Sequence, residues 1–298
     1  MKFLLIGHSV EDHVLIGEKE IIGPGGIFYA TLGLTTFLNP GDELFLVSAI
    51  EKRCENLFSF LYNKINTKYV RYVENMPKVY LRMAQTSQKC ENHENITQNL
   101  DVKNINNINK FNGILINLIT GFDITLQDIL NIRKNYNGLI YLDIHTLSRG
   151  LEKDHRRPLR LIPDAESWIS AADIIQVNED EIFTLSEKKN EFDAAKEILR
   201  TGLRYLIVTK GEFGASILYC EKDELKSIFI SSHKNNSANK IGCGDIFGST
   251  FFYFYLQNGD ILKALKAANT TAGCSTRYTN IDDFKKLKND TFSELNKK

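Results

Sequence analysis

Nothing in this chain approaches the run of about 20 apolar residues that a membrane-spanning helix needs, although 43% of its 298 residues are apolar. An excess of one charge sign is also missing, because 37 Lys and Arg balance 37 Asp and Glu. A neutral chain exerts no long-range pull on nucleic acid or an anionic membrane, so neither is expected as a partner. Cysteine is sparse and scattered at Cys54, Cys90, Cys220, Cys243 and Cys274, with no C-x-x-C pair. That pattern argues against a disulfide framework or a structural zinc site and suits a reducing cytoplasm. The opening Met1-Lys2-Phe3-Leu4-Leu5-Ile6-Gly7 is followed at once by Glu11 and Asp12, so it reads as a first strand and not as a signal peptide. No repeat with a period of about 20–50 residues and no low-complexity linker divides the chain, which leaves one domain over 1–298. Familiar catalytic signatures are absent too. There is no Walker A sequence, no G-x-G-x-x-G dinucleotide fingerprint, no G-x-S-x-G and no H-E-x-x-H.

What is present is alternation. Short, nearly continuous apolar runs occur at Phe3–Ile6, Leu44–Val47, Ile114–Ile119, Leu139–Leu142, Ile174–Val177, Leu203–Val208 and Ala215–Tyr219. Such runs fit strands buried on both faces of a mostly parallel sheet. Amphipathic stretches between them, such as Thr125–Lys134 and Phe192–Arg200, supply crossover helices, so the expected class is α/β in three layers. Segments 9–22 and about 70–100 fit the alternation poorly and predict a small accessory sheet or surface hairpins. Near the C-terminus, Ile246–Leu256 is apolar nearly all round and predicts a buried helix. Asp260 is placed to cap the next one, whose apolar face carries Ile261, Leu265, Ala268 and Ala272.

Chemistry concentrates at Asn239-Lys240-Ile241-Gly242-Cys243-Gly244-Asp245, which opens directly into the buried helix. Glycines there let a ligand approach the backbone. The first helical amides have no partners within the helix and carry the positive end of its dipole. An anion bound to them would lie beside the Asp245 carboxylate, which is placed to take a proton from an attacking hydroxyl. Taken alone, the same residues also describe a glycine turn whose aspartate merely caps a helix.

The segment Ile241-Gly242-Cys243-Gly244-Asp245-Ile246-Phe247 resembles the D-T-x-G-A-G-D-x-F signature of the ribokinase-like (PfkB-type) carbohydrate kinases. Other landmarks of that family follow in order: the pair Gly25-Gly26, Asn178-Glu179-Asp180-Glu181 for N-x-x-E, Thr209-Lys210-Gly211-Glu212-Phe213-Gly214 for T-x-G-x-x-G, and Gly259-Asp260 with Ala264-Leu265 and Ala268-Asn269 downstream. The resemblance implies an α/β/α fold with a small β lid formed by segments 9–22 and 70–100, and ATP-dependent phosphorylation of a hydroxyl on a small sugar, polyol or nucleoside. Asp245 would be the catalytic base, and Gly242, Cys243 and Gly244 the anion hole. Asp12, Gly25, Gly26 and Tyr29 would meet the acceptor, and Asp143 would join them at the end of its strand. Asn178, Thr209, Gly211, Gly214 and Asn269 would lie along the nucleotide, and Glu181 would hold Mg²⁺ through water. A homodimer through the lid is a further implication.

Departures from the pattern bear on that reading. Asn239 and Lys240 stand where the signature has Asp and Thr, a segment tied in the family to a monovalent cation, so K⁺ activation is not expected. Ala30 replaces a hydrogen-bonding Asn, which argues against the plainest ribokinase pocket. A kinase-fold protein that binds a metabolite or nucleotide without turnover is the rival reading. Asp143-Ile144-His145 with Arg149 ends a strand where α/β sites form, and equally describes a loop with a satisfied histidine. Cys90-Glu91-Asn92-His93-Glu94 reads as a polar hairpin, and His155-Arg156-Arg157-Pro158 as a solvated loop.

Overall fold

The computed structural model describes residues 1–82, 90–153, 156–232 and 239–297. Its strands are β1 (Lys2–Ile6), β2 (Ser9–Ile16), β3 (Lys19–Gly26), β4 (Glu43–Ile50), β5 (Asn66–Tyr72), β6 (Lys78–Arg82), β7 (Cys90–Glu94), β8 (Gly113–Asn117), β9 (Leu139–Asp143), β10 (Ile174–Asn178), β11 (Tyr205–Thr209), β12 (Gly214–Glu221) and β13 (Glu224–Ser231). Its helices are α1 (Ile27–Phe37), α2 (Glu55–Tyr62), α3 (Leu126–Asn135), α4 (Ala165–Ser170), α5 (Glu191–Leu199), α6 (Cys243–Asn258), α7 (Ile261–Ser275) and α8 (Leu287–Leu295). None is long and apolar enough to cross a membrane among the described residues.

Nine strands form the main sheet in the order β13-β12-β11-β10-β9-β8-β1-β4-β5. Pairing is parallel from β11 through β5 and antiparallel at β11–β12 and β12–β13, so β12 alone runs against the other strands. Successive side chains of β1 enter opposite cores, as a pleat with a period of two requires. Leu4 and Ile6 pack with Ile129 of α3 and Ile198 of α5, whereas Phe3 and Leu5 pack with Leu34 of α1 and Phe252 of α6. Covering both faces explains why β1, β8, β9 and β10 carry almost no polar residues before their C-terminal ends. The strand order reverses at β1, which has β4 on one side and β8 on the other. A crevice at such a reversal, outside the carboxyl ends of the strands, is where an α/β sheet accepts a ligand.

The second sheet has the order β3-β2-β6-β7. It draws on segments 9–22 and 70–100, but not on all of them, since Tyr72 ends β5 of the main sheet and 95–112 form no strand. Helix α6 begins at Cys243 and is buried from Asp245 through Tyr253. Asp260 caps α7 by accepting from the amides of Leu262 and Lys263, both at 3.0 Å.

Candidate active site

Polar residues appear in the central parallel strands mainly at their carboxyl ends, and register aligns them. Asn117 of β8 faces Asp143 of β9, Asp143 faces Gln176 of β10, and Asn178 faces Thr209 of β11. Across from this row lies the mouth of α6. Between them and the second sheet is a cleft of about 390 Å³, lined on its two flanks by Asp143, Asn178, Gly242 and Asp245, and by Asp12, Val79 and His93.

The α6 mouth is shaped by Gly242, which sits at φ 72° as its N-cap. That left-handed geometry disfavours any side chain. A Cβ there would also drive into the Tyr29 ring. The first i→i−4 bond of the helix runs from Ile246 N–H to Gly242 O at 3.0 Å. The amides of Cys243, Gly244 and Asp245 precede it and, by helix geometry, face outward with the positive dipole end. Asp245 is 8% exposed and lines the cleft. Burial raises its carboxyl above the usual range, while the His145 charge and a hydrogen bond from Asn117 oppose the rise.

Asn117 is the residue that sequence reasoning missed. Its Nδ2 donates to Asp245 Oδ1 at 2.6 Å, and its Oδ1 is buried with no hydrogen-bond partner. The one available signal was an amide inside an otherwise apolar strand. Gln176 was missed for the same reason. Its Nε2 donates to Asp143 Oδ2 at 2.9 Å and to Gly244 O at 3.1 Å, and its Oε1 accepts from Tyr141 at 2.7 Å. Gln176 thus ties strand β10 to the first turn of α6. Removing the Asn117 bond, as in Asn117→Leu, takes away a contact that favours the ionised form of Asp245. A base works only when deprotonated, so activity is lost as pH falls through its pKa. The acid limb of the kcat/KM profile is therefore expected to move to higher pH. A fall in activity with an unmoved profile would give Asn117 a merely structural role.

Three carboxyls near the cleft are raised together. Burial is the main cause for Asp143, followed by the nearby charges of Asp245 and Glu181; Glu181 is raised mainly by burial, against the opposing charge of His145. Asn178 and Glu181 brace each other: Asn178 N–H donates to Glu181 Oε2 at 2.9 Å, and Asn178 Oδ1 accepts from the amides of Asp180 and Glu181 at 2.9 and 2.8 Å. The pair opens a short helical turn, Glu181–Thr184, and both residues line the cleft. Among the described residues no three His, Cys, Asp or Glu side chains could hold a metal ion.

The remaining expected residues fall as follows. Asp12 and Gly26 line the cleft, with Tyr29 half-buried between them and Gly242. A Cβ on Gly25 would collide with the Asp12 carboxylate, and Gly26 sits at φ 61° as the N-cap of α1. Thr209 lines the cleft, and Gly211 and Gly214 follow it at φ 52° and 121°. Asn269 donates to Ser231 O at 3.0 Å, at the end of β13. Asn239 is turned to its own segment, its Oδ1 accepting from Ile241 N–H at 3.0 Å and its Nδ2 donating to Tyr278 O at 3.3 Å. Lys240 lies on the cleft rim, 3.9 Å from Glu212. Cys243 is half-buried and follows the glycine of the mouth.

As expected of a polar hairpin, β7 pairs antiparallel with β6, and within it His93 is buried and lines the cleft. One expectation needs correction. The basic run is no solvated loop at Arg157, which is buried and donates to the carbonyls of Gly150 (2.9 Å), Thr120 (2.9 Å) and Thr146 (3.2 Å). A guanidinium fits because its fan of donors satisfies carbonyls from the loops after β8 and β9 at once. His155 lies outside the described residues.

Comparison with known proteins agrees with this geometry. Residues 153–286 match the family model described as pfkB family carbohydrate kinase. A deoxyribokinase of Salmonella typhi is 32% identical over 98 residues, which cover 30% of this chain and 31% of that protein. This chain thus spans under a third of the length of that relative. Arabidopsis thaliana ribokinase complexed with ribose and ATP superposes with a TM-score of 0.76 at 14% identity, covering 100% of this chain and 99% of that one. A sulfate complex of a pyrophosphate-dependent kinase in the ribokinase family gives a TM-score of 0.76 at 15% identity, covering 94% and 96%. The chain thus has the ribokinase fold over its whole length and matches the pfkB family model over residues 153–286.

Proposed function

We propose that this protein transfers the terminal phosphoryl group of ATP to a hydroxyl of a small sugar, polyol or nucleoside. One observation carries the reading: a buried carboxylate, Asp245, stands beside the amides of a glycine-shaped helix mouth, inside a cleft at the carboxyl ends of the central strands. The amides of residues 243–245 would bind the transferred group and stabilise its charge, an interaction strongest where water is excluded. Asp245 would accept the acceptor's proton as its oxygen attacks in line, and Asn117 would hold that carboxylate in orientation. Its raised pKa brings the base nearer to neutrality, where proton acceptance is most effective. Asn178 and Glu181, with Thr209 and the Gly211–Gly214 turn beyond them, would line the path of the nucleotide phosphates. Glu181 would hold Mg²⁺ through water, and the ion would supply positive charge against the phosphates.

The four-stranded sheet would serve as the lid, because Asp12, Val79 and His93 on it already face the cleft. A cytoplasmic setting accords with the few, scattered cysteines of the sequence. The deciding experiment measures ATP consumption and phosphorylated product across sugars, polyols and nucleosides, with pyrophosphate as a competing donor. Turnover with ATP and at least one alcohol supports the proposal. Binding without turnover of any acceptor favours the non-catalytic reading, and turnover with pyrophosphate alone overturns the donor.

A further inference from the structure

A glycine inside a buried helix weakens it, unless something else occupies the space of the missing side chain. Gly248 lies in the buried stretch of α6. A Cβ there would come within 2.6 Å of Gln176 Oε1 and 3.2 Å of the Tyr141 hydroxyl. Gln176 of β10 thus reaches the helix backbone through the gap that Gly248 leaves.

The amide in this gap has a fixed orientation. Tyr141 is wholly buried, and burial raises its phenol well above the usual value, so it remains a hydrogen donor. Its hydroxyl donates to Gln176 Oε1 at 2.7 Å, which leaves the Nε2 end to act as donor. The two Nε2 hydrogens go to two acceptors, Asp143 Oδ2 at 2.9 Å and Gly244 O at 3.1 Å. Gln176 is only 4% exposed, so little water competes for them.

The two acceptors lie on different elements of the site. Asp143 lines the cleft at the end of β9, and Gly244 belongs to the turn of α6 that carries Asp245. The peptide from Gly244 to Asp245 is planar, so holding the carbonyl also holds the backbone of Asp245. Burial and then the charge of Asp245 raise the Asp143 carboxyl, so the two groups disfavour each other. One rigid amide bonded to both sides sets their separation against that repulsion.

We propose that Gln176 is a positioning residue for phosphoryl transfer, a spacer that sets Asp245 relative to Asp143, and that Gly248 is needed to admit its amide to the helix. The inference rests on the kinase reading above and adds to it. Gln176 itself need not touch the alcohol, because it acts through the two carboxyls. In-line attack needs base and hydroxyl in register, and a shift of about 1 Å costs on the order of a hundredfold in rate.

The test is a cycle of Gly248→Ala, Gln176→Ala and the double variant in the full chain, with ATP and an alcohol that the parent protein phosphorylates. The added methyl should push the Gln176 amide off its partners, so each single variant is expected to lower kcat by about 10- to 100-fold. ATP affinity, read by calorimetry, should fall less than kcat. With Gln176→Ala in place there is no amide left to displace, so adding Gly248→Ala should change kcat by less than about twofold. Should Gln176→Ala fail to fold, Gln176→Met, which keeps the volume but not the donors, is read alone against the parent. A lowered kcat then supports the spacer and a parent-like kcat overturns it. Losses that multiply in the double variant, or that only track melting temperature or ATP affinity, also overturn it and leave the kinase reading standing. A parent protein that consumes no ATP with any alcohol removes the kinase reading, and the spacer with it.

Discussion

Asp245→Asn is expected to lower kcat by roughly a thousandfold, with ATP affinity almost unchanged. The two groups are nearly the same shape, and an amide at this position can still pack between Asn117 and the first turn of α6. What it cannot do is take a proton. The helix-mouth amides would still bind the phosphates, because they belong to the backbone and not to the carboxylate. The separation of kcat from ATP binding is therefore the informative part. Rapid-mixing measurement of the phosphoryl-transfer step, together with calorimetric titration of ATP, checks it. Near-normal turnover would remove Asp245 as the base and leave it as a helix-capping residue.

The second large effect is expected at Gly242. Its φ of 72° and its contact with Tyr29 leave no room for a Cβ. In Gly242→Ala, the left-handed backbone alone costs about 1–2 kcal/mol, and the methyl group must also displace the Tyr29 ring or turn the helix mouth. Either response re-aims the amides of residues 243–245. Loss of aligned donors of this kind lowers kcat by about 10²- to 10³-fold. The clash makes a specific prediction for a second variant. Tyr29→Ala removes the ring that the methyl would strike, so the double variant should regain part of the turnover lost in Gly242→Ala, although Tyr29→Ala alone is not neutral. A melting curve on each variant separates misfolding from misalignment. If Gly242→Ala melts and turns over like the parent protein, the mouth of α6 does not hold the transferred group.

Much of the fold was legible because a parallel sheet covered on both faces writes itself as continuous apolar runs. Phe3–Ile6, Leu139–Leu142 and Ile174–Val177 all lie within observed strands. The edge strands were harder. In β5 only Tyr69 is buried, and β13 alternates exposed with half-buried residues. Such strands look like loops until a neighbour provides their hydrogen bonds. Helix α1 hid for another reason: Ile27–Phe37 is rich in β-branched and aromatic residues, and tertiary packing against α6 overrides its weak propensity.

The site divides in the same way. Asp245, Gly242, Asn178 and Thr209 sit in local motifs, where turn geometry and helix termini dictate residue type over a few positions. Asn117 and Gln176 sit inside apolar runs and act across 128 and 68 residues of sequence, on Asp245 and on Gly244. No local pattern announces a contact of that range. The second sheet was similarly hidden, because β2 pairs with β6 in parallel across a long separation, and only that register shows Val79 beside Asp12.

The most direct measurement is a crystal structure of the protein with a non-hydrolysable ATP analogue and an accepted alcohol. The account predicts the terminal phosphoryl oxygens within hydrogen-bonding distance of the 243–245 amides, and the acceptor oxygen about 3 Å from the Asp245 carboxylate and in line with the transferred phosphorus. A nucleotide whose terminal phosphate lies away from the start of α6, or an alcohol bound out of reach of Asp245, would contradict it.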